Sequence, residues 1–407
     1  MTSRLVVVGA SLAGLKAVET ARKIGFDGTI TLIGAEDHLP YDRPPLSKAF
    51  LDADADQQAD LAYRDLDGLK ELDVELVLGS PATRLDVERQ AITADGTCFE
   101  YDAAVLATGA QARTLPGTEG MAGVHTLRTL DDARAVRAAL DAGARTVVIG
   151  AGFIGSEVAS GARKRGLDVT VVEALPTPLI RAIGEQMGET CSALHTANGT
   201  DLRCGTSVEA IEGGVAVERV RLSDGSVLAA DLVVVGVGAV PATAWLEGSG
   251  LELDNGIVCD NTLWTGVPGV YAAGDVCRWR NGLFDRSMRL EHWTSASEQG
   301  ALAVRNALDP DAAKPYSTVP YFWSDWYDTR IQFVGVPDAD EIDVVGDVAG
   351  GSVVALYRSG DRLVGALALN RRSDIMKYRA LILKATPWAT ALDFAREREM
   401  KRQRPVR

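Results

Sequence analysis

"RTVVIGAGFIGSEVASGARKRG", residues 145–166, decides the reading of this chain, because its pattern occurs twice. The earlier copy, residues 4–25, is "RLVVVGASLAGLKAVETARKIG". Each begins with a short β-branched run, turns at a glycine, and continues as an Ala-rich helical pattern ending in Gly. That order is the strand–turn–helix of a dinucleotide-binding unit. Glycine at the turn lets backbone approach a pyrophosphate, whose charge meets the helix N-terminus. The later copy is complete, with Gly150, Gly152 and Gly155. A second strand, "DVTVVE", ends at Glu173, 23 residues after Gly150. An acid at that distance accepts hydrogen bonds from an adenosine ribose. No arginine follows in "EALPTP" to receive a 2′-phosphate, which favours NADH over NADPH.

The earlier copy reads Gly9, Ala10, Ser11, Leu12, Ala13, Gly14, with Ser11 in place of the middle glycine. Its Cβ should hold a phosphate slightly away, while its hydroxyl can donate to one. Glu36 ends the next strand region, "TITLIGAE", 27 residues after Gly9. Two such devices with two matched acids predict an α/β chain that binds two dinucleotides.

The bulk numbers fit an ordinary globular protein of two or three domains: 407 residues, 46% hydrophobic and 24% charged. A net charge of −14 and a pI near 4.9 argue against general nucleic-acid binding. The longest uncharged stretch, Leu232 to Leu246, contains Pro241 and is shorter than the ~20 residues of a membrane span. Five scattered cysteines without a Cys-x-x-Cys pair, and a start that runs straight into a strand, lead us to expect a cytoplasmic protein. Four histidines without metal-ligand spacing predict no metal. "DADADQQAD", residues 52–60, lacks the glycine and final glutamate of a calcium loop and reads as a solvated acidic loop.

"YDAAVLATGA", with Thr108 and Gly109, and "GVYAAGDVC", with Gly274 and Asp275, are strands that run into Thr-Gly and Gly-Asp turns. With the two glycine turns they resemble the FAD- and NAD-dependent pyridine-nucleotide oxidoreductases. The resemblance assigns FAD to the first copy and NADH to the second. It implies two Rossmann-like domains plus a C-terminal α/β domain, a glutathione reductase-like arrangement. The expected boundaries are 1–112 with 243–319 for FAD, 113–242 for NADH, and 320–407 for the third domain.

Many members of that superfamily carry a redox cysteine after the first Rossmann half, whereas residues 34–78 here contain none. A thiol relay is therefore excluded. The segment instead holds "PYDRPPLSK", residues 40–48. Together with "LRTLDDA", "RLEHWTSASEQG" and "PYFWSDWYDTRIQFVG", it resembles the bacterial NADH-dependent ferredoxin reductases over nearly the whole chain. Those enzymes serve [2Fe–2S] ferredoxins of cytochrome P450 and ring-hydroxylating oxygenase systems.

This resemblance implies that Lys48 lies near flavin N5 with Glu157 opposite it, and that Arg43 meets the FAD pyrophosphate. Pro44 and Pro45 fix φ and reduce the entropy lost in holding both cations. Further FAD contacts are implied at Ala82, Arg128, Asp275, Trp293 and Trp323. For NADH they are implied at Phe153, Ile154, Glu173, Arg181 and Gly238. The family often has Gln where this chain has Trp326, which then either crowds the flavin or covers the ferredoxin-docking surface. Acidic ferredoxins should seek local basic patches despite the net charge. The candidates are Arg278, Arg280, Arg286 and Arg289, then Arg371, Arg372, Lys377 and Arg379. The tail "REREMKRQRPVR" is also basic, with six cations against two glutamates. The protein is expected to be a monomer or homodimer. Two alternatives stay open: a small-molecule-acceptor NADH oxidase or reductase, and a redox-responsive interaction protein resembling apoptosis-inducing factor.

Overall fold

The structure, a computed structural model, describes residues 2–52 and 61–403. The acidic loop beyond Asp52 and the last four residues of the basic tail lie outside the described residues. The chain divides into two units, one of Met1–Asp42, Asp60–Gln111 and Ala239–Thr318, the other of Arg43–Ala59, Ala112–Gly238 and Val319–Arg407.

In the first unit the run Arg4–Val8 is the centre of a five-stranded parallel sheet. Thr29–Ile33 and then Val74–Val77 lie on one side, Ala103–Leu106 and then Val270–Ala272 on the other. Leu5 to Val8 are all buried, as expected of a strand covered on both faces. The strand order reverses beside Arg4–Val8, and such a switch point is where open α/β sheets bind ligands. The helix Leu12–Lys23 leaves this point and packs on the helix Trp293–Leu308. A Cβ at Gly300 would stand 2.1 Å from the Ala13 carbonyl, so only glycine permits that approach.

The second unit repeats the plan. Thr146–Ile149 is flanked by Val169–Glu173 and Asp201–Cys204 on one side, and by Leu232–Val235 and Val124–His125 on the other, all parallel. The helix Phe153–Lys164 follows the central strand. The same unit contains an antiparallel five-stranded sheet in the order Tyr321–Trp326, Thr329–Gly335, Arg362–Leu369, Ser352–Ser359, Glu341–Asp347. Two helices, Ile375–Leu383 and Trp388–Gln403, accompany it. Its inner face shares a core with Leu179, Ile183, Met187 and Cys191 through Trp326, Ile331, Phe333 and Tyr357. Apolar burial of this kind contributes roughly 2 kcal/mol for each large side chain.

Candidate functional site

Both glycine turns have the geometry that a pyrophosphate needs. Gly150 has φ +97°, and a Cβ there would lie 2.4 Å from the Gly236 carbonyl. A Cβ on Gly155 would lie 2.1 Å from the Gly150 carbonyl, so this glycine lets the helix sit against the turn. Gly152, the N-cap, differs: a Cβ would meet only the Gly236 carbonyl at 3.8 Å. That open space, facing a 12-residue helix start with no side-chain cap, is a cradle that fits a phosphate. Gly9 and Gly14 reproduce the two close approaches, at 2.1 and 2.0 Å. Ser11 occupies the N-cap with extended backbone (φ −134°), a conformation any residue adopts, so serine costs nothing there in backbone terms.

The matched acids are held differently. Glu173 accepts from the backbone N–H of Ala151 at 2.8 Å and of Leu175 at 2.9 Å, so its carboxylate is fixed against the glycine turn. Glu36 accepts from the Tyr41 hydroxyl at 2.6 Å.

Within the first unit, Thr108 donates to the Ala242 carbonyl (3.0 Å), and Gly109 accepts from the Ala242 N–H. Gly274 donates to the Gln299 side chain at 2.8 Å, and its Cα comes so close to the first helix that a Cβ would lie 3.2 Å from that of Ala13. The Gly-Asp turn carrying Asp275 is thereby brought beside the buried Leu12–Ala13 turn. Asp275 accepts through its carbonyl from Arg289 at 3.0 Å. Trp293 is 37% exposed, and its indole N–H reaches both the Asp42 carboxylate and the Tyr63 hydroxyl at 3.0 Å. Ala82, half-buried, opens the strand Ala82–Asp86.

Within the second unit the loop Pro44–Ser47 is a single 3₁₀ turn led by its prolines. Arg43 donates to the Arg128 carbonyl at 2.8 Å, so these two expected FAD contacts are tethered together. Lys48 lies 2.9 Å from Glu157 Oε2 and also donates to the Pro44 carbonyl at 3.2 Å. The Glu157 side chain is 1% exposed and that of Lys48 18%. A carboxylate so deeply buried is tolerated only with a charge partner and full hydrogen bonding. Ser47 donates to Oε2, while Ser324 and the Asp325 N–H donate to Oε1.

Phe153 packs on Phe322 with centroids 4.7 Å apart, Ile154 is 38% exposed, and Arg181 is exposed on the short helix Ile180–Ile183. Gly238, at φ +100°, accepts from the Arg113 N–H. Trp323 is half-buried, stacked on Tyr321 at 5.8 Å, with the Arg330 guanidinium 5.4 Å from its ring.

Sequence reasoning missed Ser47 and Ser324 as partners of Glu157. It also missed a buried network in which His195 shares hydrogen bonds with Tyr327 (2.8 Å) and Ser156 (3.1 Å). Trp326 is fully buried and so covers no docking surface. Arg371 is also removed from the proposed docking cluster: it is 3% exposed and paired with Glu399 at 2.8 Å. Arg278 and Arg280 are paired with Asp254 and Asp285. Among the described residues, no cluster of His, Cys, Asp or Glu is placed to hold a metal, and no helix is long and apolar enough to cross a membrane.

The sequence profile of the pyridine nucleotide-disulphide oxidoreductases matches residues 3–300, and that of the reductase C-terminal domain matches residues 321–402. The chain is 38% identical over 391 residues to rhodocoxin reductase of Rhodococcus erythropolis, covering 94% of this chain and 90% of that one. It is 39% identical to the ferredoxin–NAD(+) reductase component of the anthranilate 1,2-dioxygenase system of Burkholderia cepacia, covering 93% of each. Putidaredoxin reductase, in its covalent complex with putidaredoxin, superimposes with a TM-score of 0.90 at 34% identity, covering 95% of this chain and 94% of that one. With two glycine-turn sheets and a C-terminal domain accounted for along almost its whole length, the chain belongs to the pyridine nucleotide-disulphide oxidoreductase family.

Proposed function

We propose that the protein is an NADH-dependent ferredoxin reductase that supplies electrons to a [2Fe–2S] ferredoxin of a cytochrome P450 or ring-hydroxylating oxygenase system. The observation that carries this reading is the duplicated glycine-turn sheet in a chain whose second copy bears the buried Glu157 that Lys48 of the proline loop meets. Each NADH gives two electrons, so one turnover reduces two ferredoxins and releases NAD(+) and a proton. FAD, when bound, supplies the exchange between one two-electron and two one-electron transfers, which no side chain here can perform.

The chain's own residues bind and orient. Gly9, Ser11, Leu12, Ala13 and Gly14 take the FAD pyrophosphate, with Glu36 on the ribose and Arg43, Ala82, Thr108, Gly109, Arg128, Gly274, Asp275, Trp293 and Trp323 as further contacts. Gly150, Gly152, Phe153, Ile154 and Gly155 take the NADH pyrophosphate, with Glu173 on the ribose and Arg181 and Gly238 beside it. Lys48 offers a fixed positive charge to the electron-rich ring, and fixed charge stabilises developing negative charge better than mobile water does. Glu157 holds that ammonium in place. The FAD domain then comprises 1–112 and 243–319, the NADH domain 113–242, and the third domain 320–407. We place the protein in the cytoplasm, as a monomer or homodimer.

Rapid mixing of the holoprotein with NADH, then with a [2Fe–2S] ferredoxin, tests this. Absorbance near 450 nm, a typical flavin wavelength, should bleach and then return as ferredoxin is reduced. Protein that binds no FAD, or that bleaches but returns only with oxygen or quinone, would remove the ferredoxin reading.

A further inference from the structure

We propose that Trp326 is a positioning residue for the Lys48–Glu157 pair and acts through Ser324. The inference rests on the reductase reading above and extends it to a residue outside the cofactor contacts named there.

The strand Tyr321–Trp326 separates its side chains by alternation. Tyr321, Trp323 and Asp325 share one face and remain half-buried, while Ser324 and Trp326 on the other are fully buried. The two tryptophans, three residues apart, therefore point to opposite faces and do different work. A buried indole N–H needs an acceptor. For Trp326 it is Ser324 Oγ, at 2.9 Å.

The chemistry of the donors fixes the direction of this relay. Indole donates only, and a hydroxyl carries a single hydrogen. With the Trp326 N–H aimed at the Ser324 oxygen, the serine hydrogen is left for Glu157 Oε1, which lies within hydrogen-bond reach. Lys48 and Ser47 hold the other oxygen. The carboxylate is thus gripped at both ends, and turning it to release Lys48 breaks bonds on the Trp326 side too.

The grip is anchored on both sides of Glu157. Tyr327, the next residue after Trp326, donates its backbone N–H to Ser160 at 2.6 Å. Its hydroxyl reaches Ser156 through His195. The Trp326 ring lies 4.9 Å from that of His195 and is packed in the core with Leu179 and Met187. Ser156, Glu157 and Ser160 are all fastened to residues 324–327.

The test compares Trp326→Phe, Trp326→Gln and Ser324→Ala holoproteins with Lys48→Ala as reference. Each is measured for limiting flavin reduction by NADH, NADH dissociation constant, flavin midpoint potential and Tm. Trp326→Phe should slow reduction about fivefold, the worth of one hydrogen bond, and shift the potential to more negative values. The NADH dissociation constant should stay within about twofold. Trp326→Gln, which regains an N–H, should recover most of that rate although its Tm falls below that of the Phe variant. Ser324→Ala should match Trp326→Phe, and the double variant should lose no more than either. Unchanged rate and potential in Trp326→Phe, or losses that multiply in the double variant, would overturn the relay while a slowed Lys48→Ala keeps the reductase reading. If Lys48→Ala also reduces normally, the site reading itself fails and the relay falls with it.

Discussion

The two glycine-turn helices begin alike and end with different tasks. Aligned on Gly9 and Gly150, the position of buried Glu157 on the second helix is held on the first by Lys16. Lys16 is 35% exposed in its side chain and makes an ordinary i,i+3 pair with Glu19 at 2.7 Å. Its neighbour Leu15 is core, where the second helix has Ser156, bonded to His195. The cause lies in what covers each helix. The first is covered by the helix Trp293–Leu308 through small residues, and that contact needs no charge. The second is covered by the Pro44–Lys48 loop and the strand Tyr321–Trp326, both of which bring donors. The duplicated frame supplies two glycine turns, and the covering segments supply the charged and hydroxyl groups.

The largest expected effect breaks the frame. Gly9→Ala places a Cβ 2.1 Å from the Ala107 carbonyl at φ +120°, and should destabilise the protein by more than about 3 kcal/mol. The purified variant should be colourless, and a normally yellow one would contradict the assignment of FAD to the first copy. Lys48→Ala comes next. It leaves Glu157 buried without its charge partner, costing about 3 kcal/mol. Flavin reduction by NADH should slow about 100-fold while FAD content changes little, and equal loss of both would reduce the pair to a structural tie.

A third prediction concerns pH. Burial pushes the His195 imidazole down to about 4, from about 6.5 in an unfolded chain. As pH falls below 6.5 the unfolded chain takes up a proton that the folded one refuses, so stability falls. By pH 5 the loss is about 2 kcal/mol. His195→Gln should remove that share of the slope in urea titrations from pH 7 to 5 and leave the share of His292, which burial also pushes down to about 4; an unchanged slope would assign it all to other groups.

Smaller still, Gly152→Ser turns the second cradle into the first. Its Cβ meets only the Gly236 carbonyl, at 3.8 Å, so the NADH dissociation constant should rise less than about tenfold. A larger loss, measured by titration, would mean that the two turns do not hold phosphate in the same way. The smallest pair of effects separates basic surface from basic core. Arg280→Ala should raise the KM for ferredoxin about twofold without altering Tm. Arg371→Ala should lower Tm and leave that KM alone.

The glycine spacing, matched acids and buried β-branched runs were legible because each reports a local requirement of backbone or charge. Lys48 and Glu157 were readable as a pair only through resemblance, since 109 residues separate them in the chain. Ser47 and Ser324 left no signal of their own, because a serine reads as turn or strand equally well. Trp326 carried a signal that was left between two readings. Its three-residue offset from the half-buried Trp323 already required opposite faces in a strand, which argues against the docking-surface one. Arg371 looked like surface charge because Glu399, 28 residues on, had no visible tie to it.

The chain passes between its two units five times, and the short piece Arg43–Ala59 belongs with residues more than 50 positions downstream. A chimaera made by transplanting residues 112–238 alone from a relative would import a new Glu157 helix while keeping the host's Ser47, Lys48 and Ser324. The Glu157 helix is therefore not exchangeable as one cassette: a working hybrid must carry the proline loop and the strand Tyr321–Trp326 along with the nucleotide fold.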